Sequence, residues 1–277
     1  MDVERHAGCG CRISCTRVVG AGLAIALLSA GPAPGQPADE DSAAAGARAV
    51  APRLIVELEG GPAWQSRNDA QVPNDETGTR FALDGLTGSG PFAAFRVTAE
   101  GRFGGRHGLR LLFAPLSLSG TGEPAQPVSF QGVSFGAGVP TEASYRFDSY
   151  RLTYRYRLAD RKAWRVDLGL TLKLRDAEIG LSQEDAASSY SNTGLVPLLH
   201  VAAAWKPSGR WSLLLDADGA AAAPGRAFDV ALKLAYDLSP HWSVEIGYRT
   251  LEGGADVDDV YTFAWFHYGV LSAAYRL

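Results

Sequence analysis

From residue 53 onward the chain alternates apolar and polar positions with a period of two. Tyr150, Leu152, Tyr154, Tyr156 and Leu158 share one parity, and Arg151, Thr153, Arg155 and Arg157 share the other. The stretch after it repeats the arrangement, with Trp164, Val166, Leu168, Leu170, Leu172 and Leu174 set against Arg165, Asp167, Gly169, Thr171, Lys173 and Arg175. Successive side chains of a strand point to opposite faces, so this period predicts strands with one greasy and one charged face. Counting such segments predicts about ten strands, near 53–64, 91–102, 107–118, 144–158, 162–176, 193–206, 210–218, 226–238, 241–251 and 262–277. The first three are interrupted by Gly and Pro, which weakens their pattern.

The predicted connections alternate in length. Residues 104–106, 160–161, 207–209 and 239–240 read as tight turns, whereas 66–90, 119–143, 177–192, 219–225 and 252–260 read as longer polar loops. Short turns at one end and long loops at the other predict an antiparallel up-and-down transmembrane β-barrel, apolar side to lipid and charged side to the lumen. A soluble lipocalin-like ligand-binding barrel is the alternative, with the greasy face turned inward. Aromatics near predicted strand ends, among them Trp64, Tyr154, Tyr156, Trp164, Trp205, Trp211, Trp242 and Tyr248, favour the membrane reading because interfacial girdles belong there. Tyr154, Tyr156 and Trp164 are expected in the inner-leaflet girdle, beside a periplasmic turn at 159–162.

The chain closes on "GVLSAAYRL", with Leu271, Ala273, Tyr275 and Leu277 on one parity. That ending resembles the C-terminal strand of the bacterial outer-membrane β-barrel superfamily, although Leu277 stands where the family most often has Phe. The resemblance implies residence in the cell outer membrane of a Gram-negative bacterium, insertion machinery that reads the last strand, and outer-membrane lipid and lipopolysaccharide as surroundings.

The N-terminus changes what counts as the folded chain. Arg5, Arg12 and Arg17 precede an apolar run at 18–30, followed by small and acidic residues. This order predicts a secretory signal peptide over 1–38, a disordered lead-in over 39–52 and the barrel over 53–277. The run is short of the roughly 20 residues that a transmembrane helix needs. Cys9, Cys11 and Cys15 all lie before it, so a processed chain has no disulfide framework and no Cys-based metal site.

Charge then sets expectations for the interior. A net charge of −4 makes nucleic acid an unexpected partner. Arg96, Arg151, Arg155, Arg157, Arg165, Lys173, Lys233 and Arg249 can be matched by Glu57, Glu59, Glu100, Asp167, Asp229, Asp237 and Glu245. Desolvated lone charges cost several kcal/mol, so a narrow barrel is expected to pair them in a lumen network. Barrels of about eight to ten strands are nearly filled by side chains, which predicts a structural or interaction role, or at most a narrow conduit, without a cofactor.

Three constellations could carry chemistry. Asp216 and Asp218, expected at the outer rim, suggest an outer-membrane hydrolase acting on peptide or lipid A, but no nucleophile and base complete the set and no catalytic residue is assigned. Glu252, Asp256, Asp258 and Asp259 form an acidic loop that could hold a hard cation, although EF-hand spacing is missing and no metal is assigned. Gly132 to Gly136 matches the nucleophile-elbow pattern without the helix that pattern requires. The aromatic stretch 261–268 reads as girdle and lipid face.

Overall fold

In the computed structural model the described residues are 53–207 and 209–277. The expected signal peptide, the lead-in and the three cysteines lie outside them. In chain order the elements are β1 (Arg53–Gln71), β2 (Phe81–Ala82), α1 (Asp84–Thr87), β3 (Phe92–Phe103), β4 (His107–Ala114), β5 (Ser117–Gly122), β6 (Val128–Phe130) and β7 (Val133–Phe135). They continue with β8 (Thr141–Asp160), β9 (Trp164–Gln183), β10 (Ala186–Trp205), β11 (Trp211–Ala222), β12 (Gly225–Asp237), β13 (Trp242–Val257) and β14 (Val260–Arg276).

Ten strands, β1, β3, β4 and β8 to β14, pair antiparallel with their neighbours, and β14 pairs back on β1 to close the ring. Closing β14 on β1 removes the two end edges of the sheet, as a strand structure needs in hydrocarbon. The alternation sorts cleanly onto the two faces. Leu170, Leu199, Ile246 and Leu271 point outward and are 62–67% exposed. Arg151, Lys173, Asp229 and Arg249 point inward and are 2–4% exposed. A soluble barrel would bury the first set, so the lipocalin-like alternative is overturned.

At the short-turn end Trp164 stacks on Trp205 (5.6 Å between ring centroids), Trp211 lies on Tyr236 (4.7 Å) and Trp242 on Tyr275 (4.8 Å). His107 joins this ring through the Tyr154 hydroxyl, 2.7 Å from its Nδ1. These rings form the girdle on the side expected to be periplasmic.

The long-loop end departs from expectation. Residues 177–192 are strand: β9 and β10 run to a two-residue turn at 184–185. The same holds at 223–224 and 258–259, so three of the five expected loops are tall hairpins. Above the belt the outward positions turn polar, as in Asp176, Glu178 and Ser182, while Ile179 and Leu181 face the core, so the parity that marks the strand within the membrane is reversed although its ladder continues.

The two remaining loops fold into the mouth. Thr79 N–H donates to Ser129 O and Gln131 N–H to Val72 O, both at 2.9 Å, tying residues 72–91 to the β6–β7 hairpin. Their side chains meet inward residues of the wall in an apolar core that includes Leu83, Phe130, Phe135, Tyr145 and Phe266. Gln183 clamps the second loop, donating to Thr141 Oγ1 (2.7 Å) and Gly136 O (3.0 Å) and accepting from Gly136 N–H (2.6 Å). In this loop 133–135 form a hairpin strand rather than a nucleophile elbow. Of the aromatic stretch, Phe266 and Tyr268 face this core, which corrects the reading of 261–268 as girdle and lipid face.

The wall is broken twice. β4 ends at Ala114 and the chain continues past Pro115 as β5, which pairs with β8 but not with β3. That gap is filled by α1: a Cβ on Gly120 would lie 2.8 Å from Thr87 Cα, and one on Gly122 2.7 Å from Leu86 Cα. Glycine is therefore needed on β5 for the helix backbone to approach. The second break lies between β10 and β11, whose ladder stops at Leu199 and Gly219 although both strands continue.

Candidate functional site

The inward positions of the lower barrel form a continuous ion-pair network. Nearest the short turns, Asp167 accepts from Arg157 Nε and Arg102 Nη2, both at 2.6 Å, and Arg157 also reaches Asp160 at 2.9 Å. One layer up, Arg155 bridges Glu100 (2.5 Å) and Asp216 (2.6 Å), and Arg110 adds a contact to Asp216 at 2.8 Å. Lys233 lies 2.6 Å from Glu245, touches Glu57 and is 3.5 Å from Glu59.

Asp229 is the hub of the next layer. It receives Arg249 and Arg151 at 2.7 Å and Arg96 at 2.9 Å, while Arg249 also grips Glu59 through two nitrogens at 2.9 and 3.0 Å. Asp218 accepts from Arg151 (2.8 Å), the Thr171 hydroxyl (2.8 Å) and His200 Nδ1 (2.7 Å). A carboxylate beside arginine is acceptor-only, which makes His200 Nδ1 the protonated nitrogen. Three guanidinium groups around one carboxylate satisfy its lone pairs and offset the large cost of taking these charges out of water.

Of the charges expected in the lumen, Arg151, Arg155, Arg157, Asp167, Asp229, Lys233, Glu245 and Arg249 meet in this network. Arg165 does not: it is exposed at the short-turn mouth, on the same parity but one residue into its strand, where the barrel opens to solvent. Asp237 likewise sits at the rim, 2.5 Å from Lys206 and 3.1 Å from Arg276. Lys173 is buried at the top of the charged layer with its Nζ 4.7 Å from the Phe147 ring centroid, and no carboxylate pairs with it among the described residues. Arg102, Arg110 and His200 complete the network and were not expected there; their parity in β3, β4 and β10 was the available signal.

Asp216 and Asp218 are not rim residues. β11 continues to Ala222, and the run of Gly219 and alanines beyond Asp218 carries no alternation to announce it. Both carboxylates are thereby consumed by arginines inside the barrel. His200 is fully buried, and its Nε2 has no hydrogen-bond partner among the described residues. Asp218 stands between Thr171 and His200, so the histidine does not touch the hydroxyl it would have to deprotonate.

The acidic loop also disperses. Glu252 pairs with Arg226 at 2.7 Å, Asp256 accepts from Asn74 at 2.8 Å, and Asp258 and Asp259 occupy the exposed β13–β14 turn. Spread along β13 and its turn, these carboxylates meet different partners, and no three metal-ligating side chains converge among the described residues. In the first loop, the Thr77 hydroxyl and backbone N–H hold the Asp75 carboxyl below the usual carboxylate range.

Ten antiparallel strands, an apolar outer belt, an aromatic girdle and a charge-packed lower interior define an integral outer-membrane β-barrel. No protein-family model and no curated protein matches the sequence. Among solved structures, the chain is similar to the outer-membrane protease OmpT from Escherichia coli, with a TM-score of 0.52 over 81% of this chain and 97% of that one at 9% identity. Neisserial surface protein A also aligns, with a TM-score of 0.37 at 12% identity over 81% of this chain and 97% of that one. At these identities the likeness to OmpT is one of fold.

Proposed function

We propose that this protein is a non-catalytic, integral component of the outer membrane with a structural or interaction role, and that its lumen holds no standing conduit. The observation that supports this reading is the mutual neutralisation of the lower lumen. Its carboxylates Glu59, Glu100, Asp167, Asp216, Asp218, Asp229 and Glu245 are each engaged by a buried or half-buried cation. A water-filled pathway would solvate these groups, and a hydrolytic site would need a carboxylate or histidine free to meet substrate. Outer-membrane lipid at the apolar belt, lipopolysaccharide at its upper edge and insertion through β14 are the partners this role carries.

The test is reconstitution of the purified barrel in planar bilayers, alongside assays with peptide and lipid A. The expected result is a baseline without steady conductance and no turnover of either substrate. Turnover that disappears in Asp216→Asn would replace this reading with a hydrolytic one, and a stable conductance step would replace it with a channel.

A further inference from the structure

The break between β10 and β11 leads to a cavity of about 400 Å³ in the long-loop half of the barrel. Below Leu199 and Gly219 the two strands are laddered; above them β10 pairs with β9 alone and β11 with β12 alone. Pro197, just above the last paired residue, has no amide hydrogen to extend a ladder. Unlike the break beside β5, where α1 packs into the gap, this one is the side of a cavity. The lining includes Tyr145 and Phe266 from inside the barrel and Pro197 from its outer face, so the space passes through the wall. Pro197 is in register with Leu172, which is 48% exposed within the apolar belt, so the passage opens at the level of lipid.

Two cations line this cavity without a carboxylate. Lys173 is 3% exposed and, among the described residues, is the one deeply buried cation with no anionic partner; its amine lies over the Phe147 ring. Arg175 bonds to Asn192 Oδ1 at 2.7 Å, which leaves its charge uncompensated. The lining carboxylates Glu178 and Glu252 are already matched by Arg146 (3.0 Å) and Arg226 (2.7 Å). In an interior where every other deeply buried cation has an acidic partner, an apolar chamber with two spare cations and a side door at lipid depth is complementary to an anion carrying a hydrocarbon chain. Its volume falls within the roughly 300–1,000 Å³ of ordinary small-ligand sites.

We infer that this cavity is a binding site for a single-chain anionic amphiphile, which enters laterally from the outer leaflet between β10 and β11 and sets its head group on Lys173 and Arg175. The inference goes beyond the structural role proposed above and does not require a conducting lumen.

The test uses the full barrel in phosphatidylcholine nanodiscs and equilibrium binding of radiolabelled palmitate, lysophosphatidate and uncharged hexadecanol. Saturable binding of palmitate or lysophosphatidate at one per barrel is expected, at least ten-fold tighter than hexadecanol, and the tighter of the two anions identifies the head group. Lys173→Gln combined with Arg175→Gln should weaken anion binding at least ten-fold. Ala220→Trp, which fills the cavity from β11 and leaves both cations in place, should weaken all three probes together. Non-saturable uptake, equal affinity for hexadecanol and the anions, or binding unchanged by Ala220→Trp overturns the inference. The comparison of probes on the unaltered barrel and Ala220→Trp decide the matter even where the double glutamine variant does not fold.

Discussion

The lower and upper halves of the barrel interior share most of their wall strands and are filled by opposite means. In the lower half the filling comes from the strands themselves: Arg151, Asp218, Asp229 and Arg249 cross the lumen and pair. In the upper half the inward positions are apolar, and loop residues such as Leu83 and Phe130 come down to meet Tyr145 and Phe266. The difference follows from what each half can reach. Strands in the lower half are joined by tight turns that have no residues to spare, so the lumen must be closed by long side chains that carry charge. The upper half has two loops long enough to supply a hydrophobic core, and there the ordinary driving force of apolar burial is available.

This contrast can be broken from either side. The largest effect is expected for Asp229→Asn, which leaves Arg96, Arg151 and Arg249 facing one another; by the cost of breaking a buried pair it should remove about 3–5 kcal/mol, read as a lower urea midpoint for unfolding of the whole barrel. Phe130→Ala deletes a fully buried ring that packs edge-on to Phe81, and its expected cost is about 3 kcal/mol. That loss should appear as faster amide exchange in residues 72–91 and 128–135, with the β8–β9 ladder unchanged. Gln183→Ala strands Gly136 N–H and should loosen the second loop by about 1–3 kcal/mol, seen as earlier proteolysis near residues 123–140. Arg146→Gln removes three ion pairs from the outer surface above the belt, where solvent screens them, and should change the midpoint by less than about 1 kcal/mol.

The two halves also differ in how far the sequence discloses them. Period two was legible wherever a strand separates lipid from lumen, as from Tyr150 to Leu174, and it gave the strand number, the outward face and most of the inward charges. Its register was lost from Asp176 to Tyr190, because a strand that leaves the membrane turns polar residues outward and apolar ones, Ile179 and Leu181, to the interior. Nor did it announce that Asp216 and Asp218 lie in the lumen, since the alanines of upper β11 present no contrast between faces. The upper core pairs Phe81 with Phe130 and Tyr145 with Phe266 across long stretches of chain. No local pattern encodes such contacts. Carboxylates adjacent in sequence, such as Asp256 and Glu252, were grouped as a candidate site that tertiary structure then distributed between Asn74 and Arg226.

Matched charge in the lower lumen is tested most directly by a double-mutant cycle on Arg151 and Asp218, 2.8 Å apart and both 3% exposed at the side chain. Urea unfolding of Arg151→Leu, Asp218→Leu and the double variant would be compared with the parent barrel. If the two charges match, each single change is costly, the double variant is no less stable than the worse single, and the coupling is about 1.5 kcal/mol or more. Single effects that simply add in the double variant would contradict the match.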